Sequence, residues 1–221
     1  MNDAIIDPTT AGLFLDQIYI ALGGRQLFMM SLAIPPGEVV TVMGPSGSGK
    51  STLLAMIGGF LDPAFTAAGQ ILLNGNDLSQ LPAKDRRVGI LFQDNLLFPH
   101  LSVAGNLMFA VPAAIKGRAA RRALADAALS EVGLDGFGDR DPATLSGGQR
   151  ARVALMRVLV SQPRALLLDE PFSKLDADLR DQVRRLVFDK ATERQLPILL
   201  VTHDQADAEA AGGPVEVIGG S

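Results

Sequence analysis

The chain contains no cysteine, so it can build neither a disulfide framework nor a thiolate metal site, a composition that suits a reducing compartment. It also lacks an excess of basic charge. Twenty lysines and arginines stand against 24 aspartates and glutamates, a formal net charge of −4, which argues against a protein whose main task is gripping nucleic acid. No apolar run approaches the roughly 20 residues needed to span a bilayer, so membrane association is expected only through a partner. The opening Met1-Asn2-Asp3-Ala4 has no basic start of the kind a secretory leader carries. There is no internal repeat, no low-complexity segment and no sustained heptad pattern. A length of 221 residues accommodates one sizeable α/β domain with room for an inserted subdomain, and is cramped for two independent ones.

What is present is organised around residues 44–52, Gly44-Pro45-Ser46-Gly47-Ser48-Gly49-Lys50-Ser51-Thr52, which fit the phosphate-binding pattern G-x-x-x-x-G-K-[ST]. Glycines leave no side chain between main-chain N–H groups and an anion. Lys50 supplies a charge that reaches terminal phosphates, and the Ser51 hydroxyl is placed to ligate a Mg²⁺ bridging them. The apolar stretch of residues 38–43 reads as a buried strand and that of residues 53–57 as a helix. Strand, loop and helix in that order are the context the motif requires, and the helix dipole adds to the attraction for a triphosphate.

Taken in order, residues 13–20 and 27–34, punctuated by Gly23-Gly24, predict a hairpin, and Pro35-Pro36-Gly37 a turn into the strand that feeds the loop. Gly69-Gln70-Ile71-Leu72-Leu73 predicts a strand ending in the turn Asn74-Gly75. A buried strand is expected over residues 87–92, with Gln93 at its carboxyl end. From 94 to about 159 the pattern is helix and loop, the mark of an inserted helical subdomain between core segments 1–93 and 160–221. Within it, residues 96–101 are unusually apolar for a surface loop. Arg118, Arg121 and Arg122 share the polar side of a helix over 118–132, read as a solvated face in preference to a lipid contact. Residues 150–160 predict an amphipathic helix, 165–168 a central parallel strand covered on both faces, 176–193 a helix and 197–201 another buried strand. A short helix and residues 214–218 follow, with a frayed end over 219–221. The fold class is therefore α/β, a P-loop NTPase core with a mostly parallel sheet, an amino-terminal antiparallel β subdomain and the helical insertion.

In an open α/β sheet, ligands sit beyond the carboxyl ends of the strands, and residues suited to phosphoryl transfer follow the apolar strands here. Asp169 is the expected partner of Mg²⁺. Glu170 suits the orientation and deprotonation of an attacking water. Gln93 offers an amide to metal and water, and His203 can contact the γ-phosphate and hold Glu170 in line. Alone, the carboxylate pair would suit a helix cap; the phosphate loop shifts the reading to chemistry. Residues 145–149, Leu145-Ser146-Gly147-Gly148-Gln149, repeat the physics of the loop, with a serine hydroxyl and glycine amides at a helix amino end. One nucleotide does not need two cradles in one subunit, so the second is read as serving the ATP of a partner.

With these motifs in place, the sequence resembles the ATP-binding subunits of ABC transporters over nearly its whole length. The resemblance is closest to bacterial importers of the iron, thiamine, sulfate and polyamine group, through residues 93–103 and 141–155. It assigns residues 44–51 to the Walker A loop, Gln93 to the Q-loop, Leu145, Ser146, Gly147, Gly148 and Gln149 to the signature, Asp169 and Glu170 to Walker B, Ser173-Lys174-Leu175-Asp176 to the D-loop and His203 to the H-loop. It implies ATP and Mg²⁺, the ion held by Ser51, Gln93 and Asp169, and a head-to-tail homodimer closed on two ATPs. It further implies integral membrane permease partners, an indirect link to a solute-binding protein, no nucleic acid, and a peripheral position on the cytoplasmic face of the bacterial inner membrane. The alternatives are an ATPase for lipid or lipoprotein extrusion and a non-transport ABC ATPase. Three positions depart from the family pattern: Leu22 where an aromatic residue stacks on adenine, Lys174 for a small D-loop residue, adding charge at the dimer interface, and Gly105 for the Glu before Asn106.

Overall fold

The structure, a computed structural model, describes residues 11–219. The readings made on Met1 to Ala4, Gly220 and Ser221 lie outside the described residues. In chain order the elements are β1 (Leu13–Leu22), β2 (Arg25–Ile34), β3 (Val39–Met43), α1 (Lys50–Gly58), β4 (Phe65–Leu73), β5 (Asn76–Asp77), β6 (Val88–Leu91), α2 (Val103–Ala110) and α3 (Arg118–Ser130). They continue with α4 (Gly147–Val160), β7 (Ala165–Asp169), α5 (Ala177–Glu193), β8 (Ile198–Thr202), α6 (Gln205–Ala211) and β9 (Val215–Val217). Two compact units result, one of Met1–Ile90, Arg164–Glu170 and Phe188–Ser221, the other of Leu91–Pro163 and Pro171–Val187.

The first unit contains two sheets. The antiparallel one has the order β2-β1-β4-β5 and begins with the expected hairpin, Leu13 opposite Ile34 and Leu22 opposite Arg25. Its third strand starts at Phe65 and not at Gly69. Gly69 lies mid-strand opposite a bulge in β1, where a Cβ would meet the carbonyl oxygen of Gln17 at 2.6 Å, so a residue that reads as a strand boundary is a close backbone approach. The second sheet has the order β6-β7-β8-β3-β9, with β3, β7 and β8 parallel. Its central strands β7 and β8 are buried along nearly their whole length, as continuous apolar runs dictate. The strand expected over 87–92 is shorter and lies at the sheet's edge. Arg87 has φ 54°, outside the extended region, and burial alternates along β6.

Helix α1 buries Leu53, Leu54 and Ile57 against Leu15, Ile18, Ile20, Val42, Leu167 and Leu199 from both sheets. Each such side chain contributes about 1.5–3 kcal/mol by leaving water. The helix stops at Gly59, whose φ of 81° places it in the left-handed region, and Phe60 N–H donates to Ala55 O at 3.0 Å in the terminating motif that glycine permits.

In the second unit no strand lies between 94 and 159, as expected. Helix α2 packs on α3 and α4, and Val103, Leu107, Ala125, Leu129, Val153 and Leu155 of these helices are all buried. The Arg118, Arg121 and Arg122 side is not simply a solvated face. Arg121 donates to the carbonyls of Met108, Val111, Pro112 and Ile115, closing the carboxyl end of α2, and Arg122 bridges Asp126 and Asp139. The apolar loop ahead of α2 is fixed by Asn106. Its buried amide accepts from Phe98 N–H at 2.8 Å and donates towards the carbonyls of Phe98, Leu101 and Ser102. Asn106→Leu keeps the volume but orphans these groups; a loss of about 2–4 kcal/mol in urea unfolding is expected, with faster amide exchange at Phe98.

Candidate functional site

The first unit assembles its polar residues by strand register. Parallel pairing sets Met43 beside Thr202 and Asp169 beside Val201, so the exits of β3, β7 and β8 lie on one edge of the sheet. The phosphate loop leaves β3 there. Ser48 N–H donates to Pro45 O at 3.2 Å, which closes a turn, and Gly47 and Gly49 have φ of 82° and 96°. At Gly49 a Cβ would meet the Phe28 ring at 2.8 Å, so only glycine fits between β2 and the first turn of α1. Lys50, buried at the first position of α1, donates to the carbonyls of Gly44 at 2.7 Å and Pro45 at 3.0 Å and curls along the loop. No side chain caps this helix end, which leaves its first N–H groups to an anion. Ser48 Oγ is buried with no hydrogen-bond partner among the described residues, a polar atom inside the cradle.

From the second residue of α1, Ser51 Oγ donates to Asp169 Oδ1 at 3.1 Å. A hydroxyl and a carboxylate side by side are hard oxygen donors of the kind that would suit Mg²⁺. Burial is the main cause that pushes the Asp169 carboxyl above its usual range, and the Ser51 hydrogen bond opposes it. Glu170 follows with φ 46°, and its N–H donates to Val201 O at 2.9 Å. This backbone turns the side chain out of the strand's alternation, where Glu170 Oε1 lies 2.9 Å from His203 Nδ1. The imidazole is 58% exposed and the carboxylate 20%, so the pair stands at the mouth of the site. An ionised Glu170 accepts from Nδ1–H, leaving Nε2 to face solvent.

Leu22 ends β1 between Arg25 and Phe65 and is 44% exposed. The position holds an aliphatic surface, with the aromatic ring one strand away.

Gln93, residues 145–149 and Asp176 belong to the second unit. There the Ser146 hydroxyl accepts from Gln149 N–H at 3.3 Å while Gln149 Oε1 accepts from Ser146 N–H at 2.9 Å, a reciprocal cap that starts α4. The cap engages the N–H groups of Ser146 and Gln149 within the chain. A Cβ at Gly147 would meet only Leu175 Cδ2, at an ordinary 4.0 Å, whereas a Cβ at Gly148 would meet Leu179 at 2.3 Å. Asp176 accepts from Leu179 N–H at 3.1 Å and caps α5. Lys174, expected to add charge at a dimer interface, pairs with Asp94 within the chain. A cavity of about 370 Å³ is lined by Gln93, Asp94, Leu97, Arg150, Lys174 and Leu175 among others. Arg157 donates to Leu96 O at 2.7 Å and holds the apolar loop in place.

Residues 27–173 match the model of the family described as ABC transporter. The chain is 50% identical over 186 residues to the uncharacterized ABC transporter ATP-binding protein YnjD of Escherichia coli K12, covering 84% of this chain and 85% of that protein. It is 43% identical over 195 residues to the thiamine import ATP-binding protein ThiQ of Chelativorans, covering 88% and 78%. It is 43% identical over 189 residues to the Fe(3+) ions import ATP-binding protein FbpC 1 of Rhizobium meliloti, covering 86% of this chain and 53% of that relative.

The two glycines of the α4 start are expected to differ. Gly148→Ala lowers stability by about 1–3 kcal/mol through the clash with Leu179, and Leu179→Ala in the same chain relieves part of that loss. Gly147→Ala is expected to stay within about 0.5 kcal/mol of the parent chain, as thermal unfolding of the set would show.

Proposed function

The chain belongs to the ABC transporter family of ATP-binding proteins, and on that premise we propose that it is the ATP-hydrolysing subunit of a bacterial import system. The observation that carries the reading is the meeting, on one sheet edge, of the Ser51 and Asp169 pair with the Glu170 and His203 pair. The phosphate loop, residues 44–52, binds the triphosphate through its amides, and Lys50 shifts from its loop carbonyls to the terminal phosphates. Ser51 and Asp169, with Gln93 as the proposed third ligand, hold Mg²⁺, which when bound neutralises charge on the phosphate oxygens. Glu170 takes a proton from the attacking water, and His203 holds the carboxylate in line.

Import comes from the relatives whose names state it, the thiamine and Fe(3+) systems. The wider reading is one ATPase domain, with core segments 1–93 and 160–221 and the helical insertion over 94–159. Two copies close head to tail on two ATPs, residues 145–149 of each meeting the nucleotide of the other, with Asp176 at the same contact. Permease subunits dock near Gln93, which gives the 57% exposed Leu96 a partner, and place the chain on the cytoplasmic face of the inner membrane. A solute-binding protein is reached only through the permease, so this subunit does not choose the solute.

Glu170→Gln is expected to lower ATP turnover by at least about 10²-fold, while an ATP-bound dimer accumulates in size-exclusion chromatography. Turnover that survives the change removes Glu170 as the base. A chain that stays monomeric with ATP bound and hydrolysis blocked overturns the dimer. At the base, Leu22→Tyr is expected to lower the KM for ATP by about three- to tenfold relative to the parent chain, from the ring's added stacking energy.

A further inference from the structure

Helix α1 has two ends, and the proposed function uses only the first. The other is held by Arg86, which sits just ahead of β6 and is only 6% exposed. Its guanidinium donates to Met56 O at 2.8 Å and Ile57 O at 2.9 Å, carbonyls of the last turn of α1, and to Leu81 O at 2.7 Å and Ser79 O at 3.1 Å. Gly59 N–H and Phe60 N–H serve the carbonyls of Met56 and Ala55, which leaves Ile57 O to Arg86. The fit is close: a Cβ at Gly59 would meet Arg86 Nε at 2.6 Å.

A buried cation facing only carbonyl oxygens is costly unless something negative compensates it. The carboxyl end of α1 does so, because the aligned peptide dipoles leave partial negative charge on those carbonyls. Asp77 adds a weaker field: burial lowers the pKa of Arg86 and Asp77 opposes the shift. No basic residue of α1 itself lies in its last turn. The chain therefore brings one in from about thirty residues further on and gives it a rigid fork with four acceptors. A lysine could not serve them in that planar geometry.

We propose that Arg86 is a positioning residue for nucleotide binding, clamping the carboxyl end of α1 so that Lys50 and Ser51 at its amino end keep their aim at the phosphates. The proposal rests on the reading of residues 44–52 as the ATP site. A helix of nine residues is short enough that a tilt at one end displaces the other. Glu170 and His203 directly follow β7 and β8 and do not depend on that clamp, so the effect falls on affinity and not on the chemical step.

The test measures Mg-ATP binding and steady-state hydrolysis on the full chain and its variants. Arg86→Gln is expected to raise the Kd and KM for ATP about tenfold while kcat at saturation stays within about twofold of the parent. Arg86→Lys, which restores the charge without the fork, is expected to lie between them. The cavity beside Arg86, about 320 Å³ and lined also by Met56, Gly59, Ser79 and Gln80, allows chemical rescue. Millimolar methylguanidinium is expected to recover at least about threefold in the ATP affinity of Arg86→Ala, and none in Lys50→Ala. A role in stability alone would lower the active fraction, hence kcat, at unchanged KM, and would overturn the proposal. So would a folded Arg86→Gln with the parent KM, or an Arg86→Ala that ignores methylguanidinium. If Arg86→Gln does not fold, Arg86→Lys is judged by the same KM criterion. Lys50→Ala separates the two claims: if it binds ATP as the parent does, the phosphate-loop reading fails and not the clamp alone.

Discussion

Everything in the first unit follows from the register of three parallel strands. Because Val42 lies beside Val201, and Val201 beside Asp169, the residues that leave β3, β7 and β8 emerge level with one another. A slip of one residue between β7 and β8 would part Glu170 from His203, and one between β3 and β8 would part Ser51 from Asp169. The strands that fix this register are apolar along their length and buried on both faces, so the least polar part of the chain determines where its most polar residues meet.

Helix ends are the second recurring device. The amino end of α1 is left without a side-chain cap, and that of α4 carries a reciprocal one. Asp176 caps α5, and Asp204 caps α6 directly after His203. Carboxyl ends are treated differently, since α1 and α2 are both closed by a distant arginine, Arg86 and Arg121. Partial negative charge at those ends favours a guanidinium, and its fork serves several carbonyls at once.

The sequence made much of this legible because the relevant signals are local. Apolar runs, the Gly23-Gly24 punctuation and the Gly-rich loop gave the central strands, the hairpin and the strand-loop-helix unit around Lys50. The boundaries that moved did so for local conformational reasons, the left-handed Arg87 at one and the bulge opposite Gly69 at the other. What was not legible were side chains that bond to backbone carbonyls at helix ends and in loops. Arg86 and Asn106 carry no periodic mark, and Arg121 looked like one more exposed helix charge. Each serves carbonyls at helix ends and in loops, and that need appears only once the elements are placed. The pairing of Lys174 was likewise not legible, since its partner Asp94 lies 80 positions away.

The backbone at Glu170 has a further consequence. A left-handed conformation costs a residue with a side chain about 1–2 kcal/mol, and glycine would occupy it without penalty. Evolution towards thermal robustness thus meets a temptation at this one position, where the more comfortable residue has no carboxylate to offer. On the proposed role of Glu170 as base, keeping the glutamate ties a small, permanent discomfort in the fold to the pace of ATP turnover.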